Sequence, residues 1–276
     1  KLNYDLEENS EKKIAIRTGL CSIKNVGNKA LNSIIEERDR TGLFKDLLGF
    51  ASKINEGLLG KSHYEHLATA GAFTSICTNR NKAFMSAQIL VDISSSSSVD
   101  KFSQQQSIFG DTIDLSEIWK LPEVNDWDGE HRLEKERSTL GFYYSGHPLD
   151  EFNSFFKYLK LTDISNINND TDFIFDCVGV VVQVVERSSR NGRFARVLLS
   201  NTKSLTEVTV YSDIYNHKKE LLNLGTAIYL KISVMKSANN TNNFLVKDIN
   251  LLEDKINFLI SHFEIVLHKE INIKPF

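Results

Sequence analysis

A polar stretch, residues 92–128, divides the chain and limits what it can fold into. It contains the serine run Ser94–Ser98 and three consecutive glutamines, followed by acidic residues mixed with apolar ones. Such a composition buries too little apolar surface to offset the conformational entropy that folding costs. We therefore predict that residues 92–128 form a flexible linker, and that separate domains fold before and after it.

The overall composition excludes several classes of protein. The 276 residues are 41% hydrophobic and 25% charged, as in a globular protein of two or three domains. Because the net charge is −3, any nucleic-acid contact depends on local basic patches. Cys21, Cys77 and Cys177 lie far apart, which argues against structural zinc and disulfides and indicates a reducing cytoplasm. The sequence has neither a signal peptide nor an apolar run of about 18 residues, so we expect no membrane partner.

Residues 14–91 have the apolar spacing of helices. A short helix is predicted within residues 16–22, and the inner face of the next one comprises Ala30, Leu31, Ile34 and Ile35. The tight turn between these two helices holds Gly27, which tolerates positive φ.

This turn has the features of a phosphate site. Backbone N–H groups at a helix start are unpaired and, with the helix dipole behind them, suit a phosphate. Lys24 and Lys29 flank the turn and add positive charge. The pattern is typical of a helix-hairpin-helix, which holds DNA without reading its bases. An ordinary helical corner with two solvated lysines is the alternative.

Three histidines are candidate functional residues. His63 and His66 are three residues apart, as a metal-binding pair can be, but without a third ligand we interpret them as solvated helix histidines. His147 has no nucleophile or carboxylate pair with which to act as a catalytic base, and Pro148 suits the first turn of a helix. We therefore predict a structural role for His147.

Inside the predicted linker, Ile108 and Phe109 form an apolar pair within an otherwise polar stretch. A polar linker gains nothing locally from an apolar pair, whereas an exposed aliphatic and aromatic pair can fill a partner's apolar pocket. The alternative is that the pair packs back onto the helical domain.

Residues 172–252 have the pattern of a small β-barrel. Three strands, a helix and two further strands within about 80 residues is the order of an OB-fold. Gly179, inside the first long strand, predicts a bend or bulge. Basic and aromatic residues on such a barrel suit single-stranded DNA, and a solvated hairpin is the alternative. The predicted contact residues are Arg187, Arg190, Arg193, Phe194, Arg196 and Tyr211.

Three parts of the sequence resemble the C-terminal portion of bacterial replicative DNA polymerase III alpha subunits, which are family C polymerases. The first comprises Ile16–Leu20 and Ile23–Gly27, and the second is Leu67–Phe73. The most specific is Glu136–Leu149, which is close to the family signature E-x-x-x-L-G-x-Y-x-x-G-H-P. The resemblance extends over residues 1–252.

The resemblance implies a multidomain α+β chain, with a helical tandem helix-hairpin-helix domain, a linker and a five-stranded OB-fold barrel. The predicted boundaries are 1–13 for the end of an upstream polymerase domain, 14–91 for the helix-hairpin-helix domain, 92–128 for the linker, 129–171 for a connecting helical segment, 172–252 for the OB-fold and 253–276 for the start of a C-terminal segment. We accordingly expect the chain to be a piece of a longer polypeptide.

The resemblance also implies specific site residues. The hairpin residues that would contact the DNA backbone are Lys24, Asn25, Val26, Gly27 and Lys29. Family members carry a peptide that binds the sliding clamp, and here it would comprise Gln105, Ser107, Ile108 and Phe109. The family usually has a second hairpin glycine where Asn25 stands, and asparagine tolerates the left-handed conformation, with a weaker grip expected.

The function implied is that of a DNA-holding and clamp-tethering region of a DNA-directed DNA polymerase, a nucleotidyltransferase. The catalytic aspartates belong to a palm domain that lies outside this sequence, so we predict no catalytic or metal-binding residue and no cofactor here, with Mg²⁺ expected in the parent enzyme. The expected partners are double-stranded and single-stranded DNA, the sliding clamp and other replicase subunits. The alternatives are a free-standing, non-enzymatic DNA-binding or clamp-adaptor protein and a structural module whose barrel binds protein.

Overall fold

Helices build one hydrophobic core of the chain and strands build another, and each core belongs to its own unit. The first unit spans Lys1–Gly146 and the second spans His147–Phe276. The structure, a computed structural model, describes residues 1–8, 13–95, 115–162, 174–190, 192–236 and 242–261. The predicted connecting segment, residues 129–171, is therefore divided between the two units.

The first unit begins with a β-hairpin where the sequence analysis predicted the start of a helical region. Strand β1, Asp5–Glu8, pairs antiparallel with strand β2, Ile14–Arg17. The prediction of a helix from residue 16 was wrong, because isoleucines alternate with other residues at period two in β2 and a partner strand lies just upstream. Among the described residues that precede the predicted phosphate site, only the 3₁₀ turn Leu20–Ser22 is helical.

The helices of the first unit enclose its core. They are α1 Asn28–Thr41, α2 Leu47–Lys53, α3 Lys61–Thr69, α4 Arg80–Met85, α5 Ala87–Ser95, α6 Leu115–Ile118 and α7 Gly129–Leu140. Ala30, Leu31 and Ile34 are buried, which confirms most of the predicted inner face of α1. Tyr64, Leu67 and Leu90 of α3 and α5 are buried in the same core. No helix within the described ranges is both long enough and apolar enough to cross a bilayer.

A buried ion pair joins α4 to α7. Arg80 and Glu136 are only 8% and 0% exposed, and Arg80 Nη1 lies 2.6 Å from Glu136 Oε1. The other carboxylate oxygen accepts the N–H groups of Tyr144 and Ser145 at 3.1 and 2.9 Å. Gly71 leaves space for the guanidinium of Arg80, because a Cβ at position 71 would lie 2.6 Å from Arg80 Nη2. The first residue of the polymerase signature is thus a structural anchor.

The end of the predicted flexible linker packs against the helices. Asn79 Nδ2 donates to Val124 O at 2.7 Å, and Asp126 accepts the N–H of Asn81 at 3.1 Å. The ring of Trp127 contacts that of Phe84 edge-on, with 5.5 Å between centroids. The described residues of the predicted linker, 92–95 and 115–128, therefore differ from the prediction. Residues 92–95 belong to α5 and residues 115–118 form α6, and from 119 onward a few aromatic and hydrogen-bonding side chains outweigh an otherwise polar composition.

The second unit contains a closed five-stranded barrel. Its strands are β3 Ile174–Ser189, β4 Gly192–Ser200, β5 Leu205–Val210, β6 Ala227–Lys236 and β7 Asn242–Leu251. The barrel order is β3-β4-β5-β7-β6, with β5 and β7 parallel and the other pairs antiparallel. Short helices accompany it, namely α8 Asn153–Phe156, α9 Ser212–Lys218 and α10 Leu252–Ser261.

Three strands, a helix and two strands closed in this order define an OB-fold, which confirms the predicted fold class. The β-bulge lies between Val181 and Gln183 rather than at Gly179. A Cβ on Gly179 would lie 3.0 Å from Leu199 Cβ, so this glycine permits close packing instead. The described part of the predicted C-terminal segment is helical.

Glu136→Gln should destabilise the first unit, because it leaves the buried guanidinium of Arg80 without a counter-charge. Breaking a buried pair in this way costs about 3–5 kcal/mol. The two tryptophans, Trp119 and Trp127, both lie in the first unit, so their fluorescence during urea unfolding reports on that unit alone.

The matched control for this experiment is Glu134→Gln, an exposed carboxylate on the same helix. We expect that change to alter the free energy of unfolding by less than about 0.5 kcal/mol. Equal unfolding midpoints for Glu136→Gln and the unchanged chain would contradict the assigned role of the ion pair.

Candidate nucleic-acid interface

A residue in the left-handed region shapes the turn before α1. That residue is Asn25, with φ 61°, whereas Gly27 is extended with φ −70°. The sequence analysis named Gly27 as a residue that tolerates positive φ and Asn25 as one that tolerates the left-handed conformation, and the structure uses the second of these. Asparagine tolerates the conformation because its short polar side chain can form a hydrogen bond nearby. The Asn25 amide has such a partner, since Nδ2 lies 2.9 Å from His66 Nε2.

Gly27 leaves the start of α1 open. It is the N-cap residue, and a Cβ there would meet no described atom within 4 Å. Leu31 N–H donates to Gly27 O at 3.2 Å, so the N–H groups of residues 28–30 precede the first helical hydrogen bond. An oxygen of a ligand can reach them over the bare Cα of Gly27. Val26 is buried in the hydrophobic core and anchors the turn there.

The two lysines beside the turn have different surroundings. Lys29 is exposed at the second position of α1. Lys24 is exposed too, but it contacts the C-terminal turn of α7, where its Nζ donates to Ser138 O at 3.1 Å. The backbone N–H of Lys24 donates to Thr139 O, also at 3.1 Å.

Neither helix histidine is solvated as predicted, because both form hydrogen bonds and are half-buried. His63 Nδ1 accepts the N–H of Gly60 at 2.9 Å. His66 Nδ1 lies 2.7 Å from Ser62 O, and since a carbonyl only accepts, the hydrogen is on Nδ1. Nε2 of His66 is then the acceptor for the Asn25 amide. Across the described ranges, no group of three His, Cys, Asp or Glu side chains could hold a metal ion.

The sequence reasoning assigned no residue to a second helix start, which the structure shows at α3. Gly60 is the N-cap there, extended with φ −89°, and the nearest atom to a Cβ placed on it would be His63 Nδ1 at 4.0 Å. The signal was present in the sequence, since an apolar residue, a glycine and a nearby lysine recur as Val26-Gly27 and Leu59-Gly60 with Lys29 and Lys61.

On the barrel, four of the six predicted contact residues share the outer face of the β3-β4-β5 sheet. Ala195, Val197 and Leu199 are buried, so Phe194 and Arg196, which alternate with them, point outward. The residues on this face are Arg187, which pairs with Phe194 in register, Phe194, Arg196 and Tyr211. We call these four residues the barrel face.

The barrel face combines aromatic surface with positive charge. The rings of Phe194 and Tyr211 lie 6.0 Å apart between centroids, and Tyr211 is 49% exposed. Arg196 is 3.6 Å from Glu207, a pair so exposed that it leaves the guanidinium accessible.

The remaining two arginines lie elsewhere. Arg190 is in the turn after β3, and Arg193 has the opposite orientation on β4 from Phe194. The charge of Arg193 acts on Tyr215, whose pKa is raised to about 12 by burial and by its hydrogen bond with Glu186. The structure thus does not bring these two arginines onto the barrel face.

The predicted clamp-binding residues, Gln105, Ser107, Ile108 and Phe109, lie outside the described residues. The structure therefore does not test that prediction.

His147 is a buried structural residue, as predicted. Its Nδ1 accepts the N–H of Leu149 at 3.1 Å, and its Nε2 lies 3.1 Å from Ser200 Oγ. Burial lowers the pKa of His147, and the charge of Asp150 only partly opposes this effect. A neutral ring in this position caps the 3₁₀ helix Pro148–Phe152.

The fold and these surfaces define a protein with a helix-hairpin-helix unit followed by an OB-fold unit. The family described as a helix-hairpin-helix motif matches residues 2–83. DNA polymerase III subunit alpha of Caulobacter vibrioides is 29% identical over 77% of this chain and 19% of its own length. That of Buchnera aphidicola subsp. Schizaphis graminum is 28% identical over 84% of this chain and 20% of its own. The DNA polymerase III subunit alpha of Vibrio cholerae is 30% identical over 75% of this chain and 18% of its own length.

These matches confirm the resemblance, and the chain is a homologue of part of DNA polymerase III subunit alpha. It spans about a fifth of the length of these relatives. Among solved structures, the mitochondrial single-stranded DNA binding protein Rim1 of S. cerevisiae is 22% identical, with a TM-score of 0.26, over 30% of this chain and 97% of the other. The OB-fold assignment rests on the strand order and not on this likeness.

His147 should make the second unit less stable in mild acid. Its pKa in the folded chain lies below the value of about 6.5 in the unfolded chain, so the unfolded chain binds the proton more readily. The contribution of His147 to the stability of the folded chain is therefore fully present above a pH of about 6.5. It is lost as the pH falls below that value. We expect a lower melting temperature at pH 5 than at pH 7.5, measured by the circular dichroism of the β-sheet.

His147→Asn should weaken this pH dependence, since an asparagine oxygen can still accept the N–H of Leu149 but does not titrate. The control is His217→Asn, an exposed histidine of the same unit, which should keep the full dependence. Parallel pH profiles for His147→Asn and the unchanged chain would show that His147 is not responsible.

Proposed function

We propose that this chain is the DNA-holding and clamp-tethering region of a DNA polymerase III alpha subunit. The observation that carries the proposal is the extent of the sequence match. Alignments over 77% and 84% of the chain must include parts of both units, since even the larger unit, Lys1–Gly146, is little more than half of it. A relationship confined to a common DNA-binding module would be limited to one unit.

The hairpin turn would hold the duplex by its backbone. The open N–H groups at the start of α1 suit phosphate oxygens, and the bare Cα of Gly27 lets a phosphate approach closely. Contacts of this kind do not depend on base sequence. A polymerase that copies any template needs a grip with this property.

The barrel face would hold the single-stranded template. Charge from Arg187 and Arg196 would follow the phosphates, while the rings of Phe194 and Tyr211 would stack on bases. Every base has an aromatic face, so this mode also tolerates all sequences.

The peptide around Ile108 and Phe109 would bind the sliding clamp, and other replicase subunits would assemble with the longer cytoplasmic protein. Nucleotidyl transfer with Mg²⁺ would take place in parts of that protein outside this chain. Several weak sites on one polypeptide raise each other's effective concentration, so the region would keep the polymerase on its DNA over many cycles.

Replacing both rings of the barrel face, Phe194→Ala and Tyr211→Ala together, should weaken single-strand binding. Stacking on an aromatic side chain contributes about 1–3 kcal/mol per base, which corresponds to roughly 5- to 150-fold in affinity. Fluorescence anisotropy with a labelled oligo-dT measures the affinity for single-stranded DNA. Tyr158→Ala removes an exposed ring of the same unit outside the barrel strands and serves as the control. Unchanged affinity of the double variant would refute a single-strand role for the barrel face.

Replacing Ile108 and Phe109 by alanine should weaken binding to a bacterial sliding clamp by about 30-fold or more, the effect of removing an anchor residue from its pocket. Surface plasmon resonance with the immobilised clamp measures the affinity of each variant for the clamp. Val99→Ala with Phe102→Ala removes a similar pair from the same stretch and should leave binding unchanged. If both double variants bind like the unchanged chain, the peptide is not the clamp anchor.

A further inference from the structure

We infer that Lys24 is a positioning residue that holds the hairpin turn in its binding conformation, and that Lys29 is the lysine that meets the phosphate. The sequence suggested equal roles for the two. The inference rests on the proposed grip of the hairpin on DNA. The segment Ser138–Gly141, the C-terminal turn of α7 with its cap, is called the brace.

Lys24 is tied to the brace by two hydrogen bonds. Its N–H donates to Thr139 O and its Nζ donates to Ser138 O, each at 3.1 Å. Carbonyls at the end of a helix lack intrahelical partners and carry the negative end of the helix dipole, so an ammonium group is well suited to them. The residue next to the left-handed Asn25 is therefore fixed by both its backbone and its side chain.

The brace is itself held firmly in the first unit. The hydroxyl groups of Thr139 and Thr69 lie 2.8 Å apart, and both residues are buried. Leu140 belongs to the hydrophobic core, and Gly141, with φ 90°, caps α7. A Cβ on Gly141 would lie 3.6 Å from Lys24 Nζ, so the ammonium lies directly over this cap.

Helix α3 holds the turn from a second direction. His66 accepts a hydrogen bond from Asn25, and Thr69, one turn further along α3, contacts the brace. The turn thus lies between α3 and α7, and its open N–H groups have a defined direction before any DNA arrives. Preorganisation of this kind lowers the cost of binding.

The lysines consequently differ in what they can offer a phosphate. The Lys24 ammonium already donates to the helix-end carbonyl of Ser138, so part of its charge and hydrogen bonding is directed at the brace rather than at an outside anion. Lys29 is exposed beside the open N–H groups, and no hydrogen bond or ion pair within the described part of the chain occupies it. Each phosphate that a lysine neutralises releases counterions and steepens the salt dependence of binding.

The test is the salt dependence of duplex binding by the whole chain, as the slope of log Kd against log salt concentration. For Lys29→Met we expect the slope to fall by about one, as for the loss of one phosphate contact. For Lys24→Met we expect binding about 5- to 30-fold weaker at every salt concentration with the slope unchanged, as for the loss of a charged hydrogen bond. Lys24→Arg keeps donors for the brace and should restore affinity.

Thr139→Val tests the brace without altering any lysine, and Thr139→Ser is its rescue. We expect weaker duplex binding at an unchanged slope for the valine variant and near-normal binding for the serine variant, with tryptophan fluorescence confirming that both fold. A slope reduced by about one in Lys24→Met would overturn the inference while leaving the hairpin grip intact. Unchanged affinity and slope in both Lys24→Met and Lys29→Met would instead refute the hairpin grip itself.

Discussion

The buried pair of Arg80 and Glu136 is the interaction on which the first unit depends most. Two charges removed from water are stable only when both are well bonded, and Glu136 meets this condition with the guanidinium on one oxygen and two backbone N–H groups on the other. The pair fixes α7 against α4. Because the end of α7 contacts the hairpin turn, a charge pair that includes none of the proposed DNA-contacting residues helps to hold the helix against which the turn rests.

The two units suggest two ways of holding DNA that share one property. The hairpin turn offers backbone N–H groups to phosphates, and the barrel face offers rings to bases and charge to phosphates. Neither mode reads sequence. Each is expected to be weak alone, so linkage on one chain, together with the proposed clamp peptide, would supply the residence time that copying a long template demands.

The sequence predicted what local pattern determines. Strand alternation in residues 172–252 gave the strand order of the barrel, and helical spacing gave the inner face of α1. Contacts between residues far apart in the sequence could not be predicted from it. One example is the hydrogen bond between Lys24 and Ser138, which are 114 positions apart. Composition alone misjudged residues 119–128, where Trp127 and Asp126 secure a polar segment. On the barrel, alternation along β4 separates Arg193 from Phe194, which a list of clustered arginines does not show.

The central claim is that two separate surfaces hold the two forms of DNA. Hydrogen–deuterium exchange of the whole chain bound to a duplex with a single-stranded overhang tests it most directly. The account predicts slower exchange of the amides of residues 25–31 with duplex alone, and additional slowing across residues 192–196 and 209–211 only when the overhang is present. Protection of the barrel by blunt duplex, or none at the hairpin turn with either DNA, would contradict it.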